Sequence, residues 1–104
     1  MKRLLALLAL GAFALPAAVA APDDGAALYK EKACFACHGP KGDKTLLPNY
    51  PKIAGQNAAY AEQQMKDIKS GERANGQSAA MTYIMREVSD EEIKVLAAWL
   101  ESLK

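Results

Sequence analysis

Two cysteines separated by two residues and followed at once by histidine, Cys34-Phe35-Ala36-Cys37-His38, constrain this chain more than any other feature. The spacing puts both thiols on one turn of backbone, so each can add to a vinyl group on the same porphyrin edge. It also sets the imidazole of His38 beside the clamp, placed to ligate the iron from one face. Cys-x-x-Cys-His is the attachment signature of c-type haem. The two cysteines are the only ones in the chain, and His38 is the only histidine. Two other chemistries use the same residue types. A Cys-x-x-Cys redox disulfide ordinarily sits near a βαβ pattern, and no convincing strand pattern is present. A structural zinc site takes four Cys or His ligands; this chain offers three and would need a carboxylate.

Haem attachment of this kind requires export, and the N-terminus fits it. Lys2 and Arg3 form a positive n-region, Leu4 to Leu15 an apolar run broken by Pro16, and Ala18-Val19-Ala20 satisfies the small-x-small rule. Residues 1–20 are therefore expected to be a cleaved secretory signal peptide, cut after Ala20, with one domain over 21–104. The run is short for a bilayer span, which disfavours an uncleaved anchor. Of the 13 basic residues, Lys2 and Arg3 leave with the signal, so eleven face 12 acidic ones in the mature chain. That balance gives no footprint for nucleic acid or anionic lipid. So short a chain builds a marginal core and needs a staple. A covalently held haem is one, and it consumes the cysteines an exported protein would otherwise pair as a disulfide.

The rest reads as helices and irregular loops, an all-α pattern. Asp23 or Asp24 can cap a first helix running to about Ala33, with Leu28 and Tyr29 on its apolar face. Gly39-Pro40 turns the chain. A carbonyl near His38, such as that of Pro40, can accept its second ring N–H and raise its basicity as a ligand. Lys41 to Gly55 is loop. Of its apolar residues, Tyr50 and Ile53 are expected to cover the haem face; Leu46 and Leu47 fit that role or an ordinary loop cluster equally. Asn57 can cap a helix from Ala58 to Ser70, stopped by Gly71, with Ala61, Met65 and Ile68 on one stripe. Glu72 to Ala80 reads as a polar loop, followed by a short helix from Met81 to Arg86. Ser89 and Glu92 form a capping box for a last helix to about Leu103. Ile93, Leu96, Ala97 and Leu100 make its stripe, broadened by Trp99 and Leu103.

With His38 on one axial position, a methionine thioether on the other would suit electron transfer. Met65 belongs to a helix stripe and reads as core. Met81 follows a loop able to lay a side chain across the haem face. Met85, a turn further on, suits packing better. Met81 is the preferred ligand, with Met85 second; the remaining reading makes both core residues and leaves the site open.

As a set, these residues resemble a bacterial class I cytochrome c, of the small single-haem periplasmic type similar to one half of the two-haem cytochromes c. The resemblance runs from the opening helix through Cys34–Gly42, Pro48–Gln56, Tyr60, Gly71-Glu72-Arg73 and Met81 to the helix start at Val88–Glu92. It implies a class I cytochrome c fold, three to five short helices wrapped around one covalently bound haem. The first and last helices would cross, bringing Gly25 and Leu28 or Tyr29 against Leu96, Trp99 and Leu100. In that family the methionine ligand lies shortly before the closing helix, as Met81 does. Here no proline adjoins it. Arg73 resembles an arginine that neutralises a haem propionate.

The resemblance implies a one-electron carrier in the periplasm, not an enzyme. One haem c is held by Cys34 and Cys37, and its iron by His38 and Met81. Partners would be transient redox donors and acceptors, a membrane-bound oxidase or reductase among them, and the carrier a monomer. By their placement in segments near the motif, Lys30, Lys32, Lys41, Lys44 and Lys52 either ring the haem edge and steer an acidic partner or form an ordinary solvated surface mixed with acids. The alternative is a tightly docked haem subunit of a larger oxidoreductase complex. An enzyme or gas sensor with an open sixth position would lack a distal histidine, because His38 is the only one.

Overall fold

A computed structural model of the chain describes residues 22–103. The expected signal segment and its cleavage site lie outside the described residues. Among the described residues there are five helices and no strand: α1 Pro22–Glu31, α2 Phe35–His38, α3 Ala58–Ser70, α4 Ser78–Met85 and α5 Asp90–Ser102. This is the all-α architecture of three to five short helices expected from sequence.

Most helix ends follow local chemistry. Asn57 caps α3 by accepting the Tyr60 N–H at 3.0 Å, and Gly71, at φ 88°, ends it. The capping box of α5 is complete: Ser89 Oγ accepts the Glu92 N–H at 3.1 Å, and the Glu92 carboxylate accepts the Ser89 N–H at 2.9 Å. Two ends differ from expectation. The first helix stops at Glu31 rather than Ala33, because Ala33 turns left-handed at φ 60°. Its N–H donates to the Lys30 carbonyl at 3.1 Å and that of Cys34 to the Tyr29 carbonyl at 3.0 Å. This bond pair is a Schellman turn, with alanine where glycine is usual. It redirects the chain so that the motif forms its own short helix, α2. The fourth helix begins at Ser78, three residues before Met81. Thr82 Oγ1 lies 3.0 Å from the carbonyls of both Ser78 and Ile68, tying the first turn of α4 to α3.

The core lies between α1, α3, α4 and α5. Tyr29, Met65, Ile68, Met85, Val88, Ile93, Leu96, Ala97 and Leu100 are buried there, and Trp99 packs at its edge. The expected stripe of α5 is thus its buried face. The first and last helices meet at Gly25, where a Cβ would collide with the side chain of Trp99. One turn on, the rings of Tyr29 and Trp99 lie 4.8 Å apart at 46°.

The long connection from Gly39 to Asn57 is held by its backbone. The Gly42 carbonyl accepts from the Ile53 and Ala54 N–H groups at 2.8 and 3.1 Å, and the Leu46 N–H donates to the Cys37 carbonyl at 2.9 Å. The Gly55 N–H reaches the Leu100 carbonyl at 2.7 Å, and Glu101 accepts the Ala58 N–H at 2.6 Å. Ile53 packs on the core. Leu46 and Leu47 are 67% and 43% exposed and are not among the residues lining the cleft.

Candidate functional site

The helices and the long loop enclose a cleft of about 390 Å³. That is within the range of cofactor-sized pockets, which run from roughly 300 to 1,000 Å³. Cys34, Cys37 and His38 line it from the motif, and Tyr50 and Ile53 from the loop. Met65 and Ile68 face it from α3, Met81, Ile84 and Met85 from α4, and Leu96 and Leu100 from α5. Among the described residues no aspartate or glutamate lines the cleft, while Lys52 and Arg73 do.

His38 is buried, 8% exposed. Its Nδ1 lies 2.9 Å from the carbonyl oxygen of Pro51. A carbonyl only accepts, so Nδ1 carries the proton and Nε2 keeps its lone pair for a metal. The expected second partner of the ring is therefore a proline carbonyl, but that of Pro51 and not of Pro40. Pro40 is exposed, while the long loop returns the Pro51 carbonyl to the ring. Sequence spacing carries no signal for which carbonyl a thirteen-residue excursion brings back.

Both cysteines are partly buried and are not joined as a disulfide. Burial, with a smaller contribution from Cys37, pushes the Cys34 thiol up to about 11, so it is neutral at ordinary pH. A thiol raised in this way is poorly suited to thiolate redox chemistry. Among the described residues no group of three or more His, Cys, Asp or Glu is arranged to hold a metal ion, so the four-ligand zinc reading has no site there.

Met81 is half-buried, in the first turn of α4 rather than at the end of a free loop, and lines the cleft. Met85 lines it too but is 2% exposed and belongs to the core. Met65 is buried in the same cluster, as its helix stripe implies. Arg73 reaches the cleft wall and donates to Gln64 Oε1 at 3.2 Å. Of the lysines expected around the site, Lys30, Lys41, Lys44 and Lys52 are exposed. Lys32 instead donates to the Glu87 carbonyl at 2.8 Å and pairs with Glu92 at 3.6 Å, which ties the end of α1 to the start of α5.

In sequence Tyr29 reads only as an apolar residue. Its hydroxyl is buried and donates to the Gly39 carbonyl at 2.6 Å. Burial, then the nearby Cys34, pushes its phenol up to about 12.

The arrangement fits a covalently attached haem. It pairs two thiols on one turn with an imidazole whose Nε2 is free, a thioether on a separate helix, and a cleft lined mainly by apolar groups. The comparisons agree. A family model described as Cytochrome c matches residues 22–104. Cytochrome c4 of Azotobacter vinelandii is 39% identical over 94% of this chain and 48% of its own length. Cytochrome c-554(548) of Halomonas halodenitrificans is 40% identical over 79% of this chain and 98% of its own. The crystal structure of reduced recombinant cytochrome c4 from Pseudomonas stutzeri superposes with a TM-score of 0.70 at 28% identity. The match covers 80% of this chain and 48% of that one, so the chain spans about half the length of the cytochromes c4 it matches.

Proposed function

The chain belongs to the cytochrome c family, whose members carry covalently attached haem c, and on that premise we propose that it is a periplasmic one-electron carrier. Cys34 and Cys37 would hold the haem through thioethers, and His38 and Met81 would hold its iron. Bound there, haem c supplies a one-electron ferric/ferrous couple with no bond made or broken in a substrate.

The observation that carries this reading is the bond from His38 Nδ1 to the Pro51 carbonyl, which orients the ring and leaves Nε2 free toward a cleft that Met81 also lines. The protein's own work is then positional. The Pro51 carbonyl raises the basicity of the imidazole. The apolar walls from α3, α4 and α5 exclude water, so little rearranges when the charge changes. The carboxylate-free lining with Lys52 and Arg73 suits the anionic propionates of a haem. Exposed Lys30, Lys41, Lys44 and Lys52 support brief, electrostatically steered contact with acidic redox partners. Export with removal of residues 1–20 rests on the N-terminal sequence pattern.

The test is an optical spectrum of the haem-loaded protein, oxidised and reduced, with and without carbon monoxide. A weak far-red methionine-to-ferric band, lost in Met81→Ala and kept in Met85→Ala, together with no carbon monoxide shift in the unmutated protein, is the expected result. A carbon monoxide shift in the unmutated protein means an open sixth position and ends the carrier reading.

A further inference from the structure

We infer that Tyr29 is a positioning residue for the axial histidine. It grips both ends of the Cys34–His38 segment and, through the Gly39–Gly42 turn, holds together the two halves of the His38–Pro51 hydrogen bond. The inference rests on the reading of His38 as iron ligand.

The backbone carbonyl of Tyr29 accepts the Cys34 N–H at 3.0 Å, at the opening of the motif. Its hydroxyl donates to the carbonyl of Gly39, the residue that follows the motif, at 2.6 Å. One residue of α1 therefore sets where the five-residue segment begins and where it ends. The same Gly39 carbonyl accepts the Gly42 N–H at 3.2 Å, and the Gly42 carbonyl accepts from Ile53 and Ala54. Pro51 stands two residues before Ile53. So His38 enters this turn from one side, and the stretch of loop bearing the Pro51 carbonyl is hung from the other. The Tyr29 hydroxyl fixes the turn to the helix scaffold.

The hydroxyl is itself held rigidly. Tyr29 is 2% exposed and its ring lies against Trp99 at 4.8 Å, so core packing sets its place. A buried O–H···O bond of this length is at the short end of the normal range. The basicity of a ligating imidazole follows the hydrogen bond made by its other nitrogen. Loosening the turn weakens that bond, lowers electron donation from His38 and disfavours the ferric state. The Tyr29 hydroxyl accordingly holds the reduction potential down.

The experiment compares haem-loaded wild type, Tyr29→Phe and Val88→Ala. Tyr29→Phe keeps the ring and removes only the hydroxyl; Val88→Ala loosens the core at a buried residue that does not line the cleft, and keeps the hydroxyl. At the wild-type midpoint, Tyr29→Phe is expected to shift the reduced-to-oxidised ratio at least about threefold toward reduced, with a softened iron–imidazole vibration. Val88→Ala is expected to lose stability with the ratio unchanged. An unshifted ratio in Tyr29→Phe, or an equal shift in both variants, overturns the inference. Should Tyr29→Phe fail to yield loaded protein, 3-fluorotyrosine placed at position 29 alone supplies a stronger donor. It must shift the ratio toward oxidised, and no shift overturns the inference. A wild-type spectrum without histidine ligation would overturn the ligand assignment as well. A normal wild-type spectrum with an unshifted Tyr29→Phe removes the Tyr29 role alone.

Discussion

Gly25 and Trp99 meet where α1 crosses α5, so closely that a Cβ on Gly25 would stand 2.7 Å from Trp99 Cγ and closer still to its Cβ. The absence of a side chain lets the two helices approach until the Tyr29 ring, one turn later, lies on Trp99. That crossing sets the direction in which α1 delivers Cys34.

Gly25→Ala is therefore expected to destabilise the haem-loaded protein by at least about 2 kcal/mol, since neither helix backbone nor an indole can yield cheaply. Denaturant unfolding followed by far-ultraviolet dichroism measures it. An unchanged midpoint would mean that the helices do not cross at this residue.

Met81 and Met85 separate by burial. Met85, 2% exposed among Val88, Ile93 and Leu96, should cost about 2–5 kcal/mol of stability on truncation to alanine, by lost transfer and cavity formation. The far-red band should survive that change. Half-buried Met81 should show the reverse pattern, with the band lost and a smaller share of the effect in packing. Parallel denaturation and absorbance of the two variants decide it.

Ala33 holds a left-handed conformation at φ 60° that costs an L-residue with a Cβ roughly 1–2 kcal/mol. Glycine removes that cost but loses more entropy on folding, by about 0.5–1 kcal/mol. Ala33→Gly should thus be neutral to stabilising, by up to about 1 kcal/mol. A clear loss of stability in thermal or denaturant unfolding would contradict the left-handed turn before Cys34.

Tyr29 also predicts an alkaline transition. Its phenol rises from 10.0 to about 12 in the folded protein, chiefly through burial. A raised pKa contributes stability that is full below pH 10 and is lost as pH climbs toward 12. The two-unit difference corresponds to roughly 2–3 kcal/mol. Unfolding free energy measured from pH 8 to 12 should fall more steeply in wild type than in Tyr29→Phe. Identical slopes would show the hydroxyl to be solvated.

Much of the site and of the fold is legible in the order of residues. The Cys34–His38 signature, the Asn57 and Ser89 caps, and the stripe from Ile93 to Leu100 all stand where spacing places them. Each depends on residues within one or two helical turns, and over that range backbone geometry is fixed by sequence distance alone. The helix ends at Glu31 and Ser78 are less legible. Ala33 takes a conformation its own preference resists, and α4 starts early because Thr82 reaches the Ile68 carbonyl on another helix.

The sequence by itself determined the cofactor class and the all-α architecture, because those follow from residue type at fixed short spacing. The tertiary structure decided which carbonyl orients His38, that Lys32 ties α1 to α5, and that a tyrosine hydroxyl anchors the turn behind the motif. Those contacts join residues 10 to 60 positions apart. At that range the partner is chosen by how the loop and helices pack, and many carbonyls are chemically equivalent until the fold brings one of them within reach.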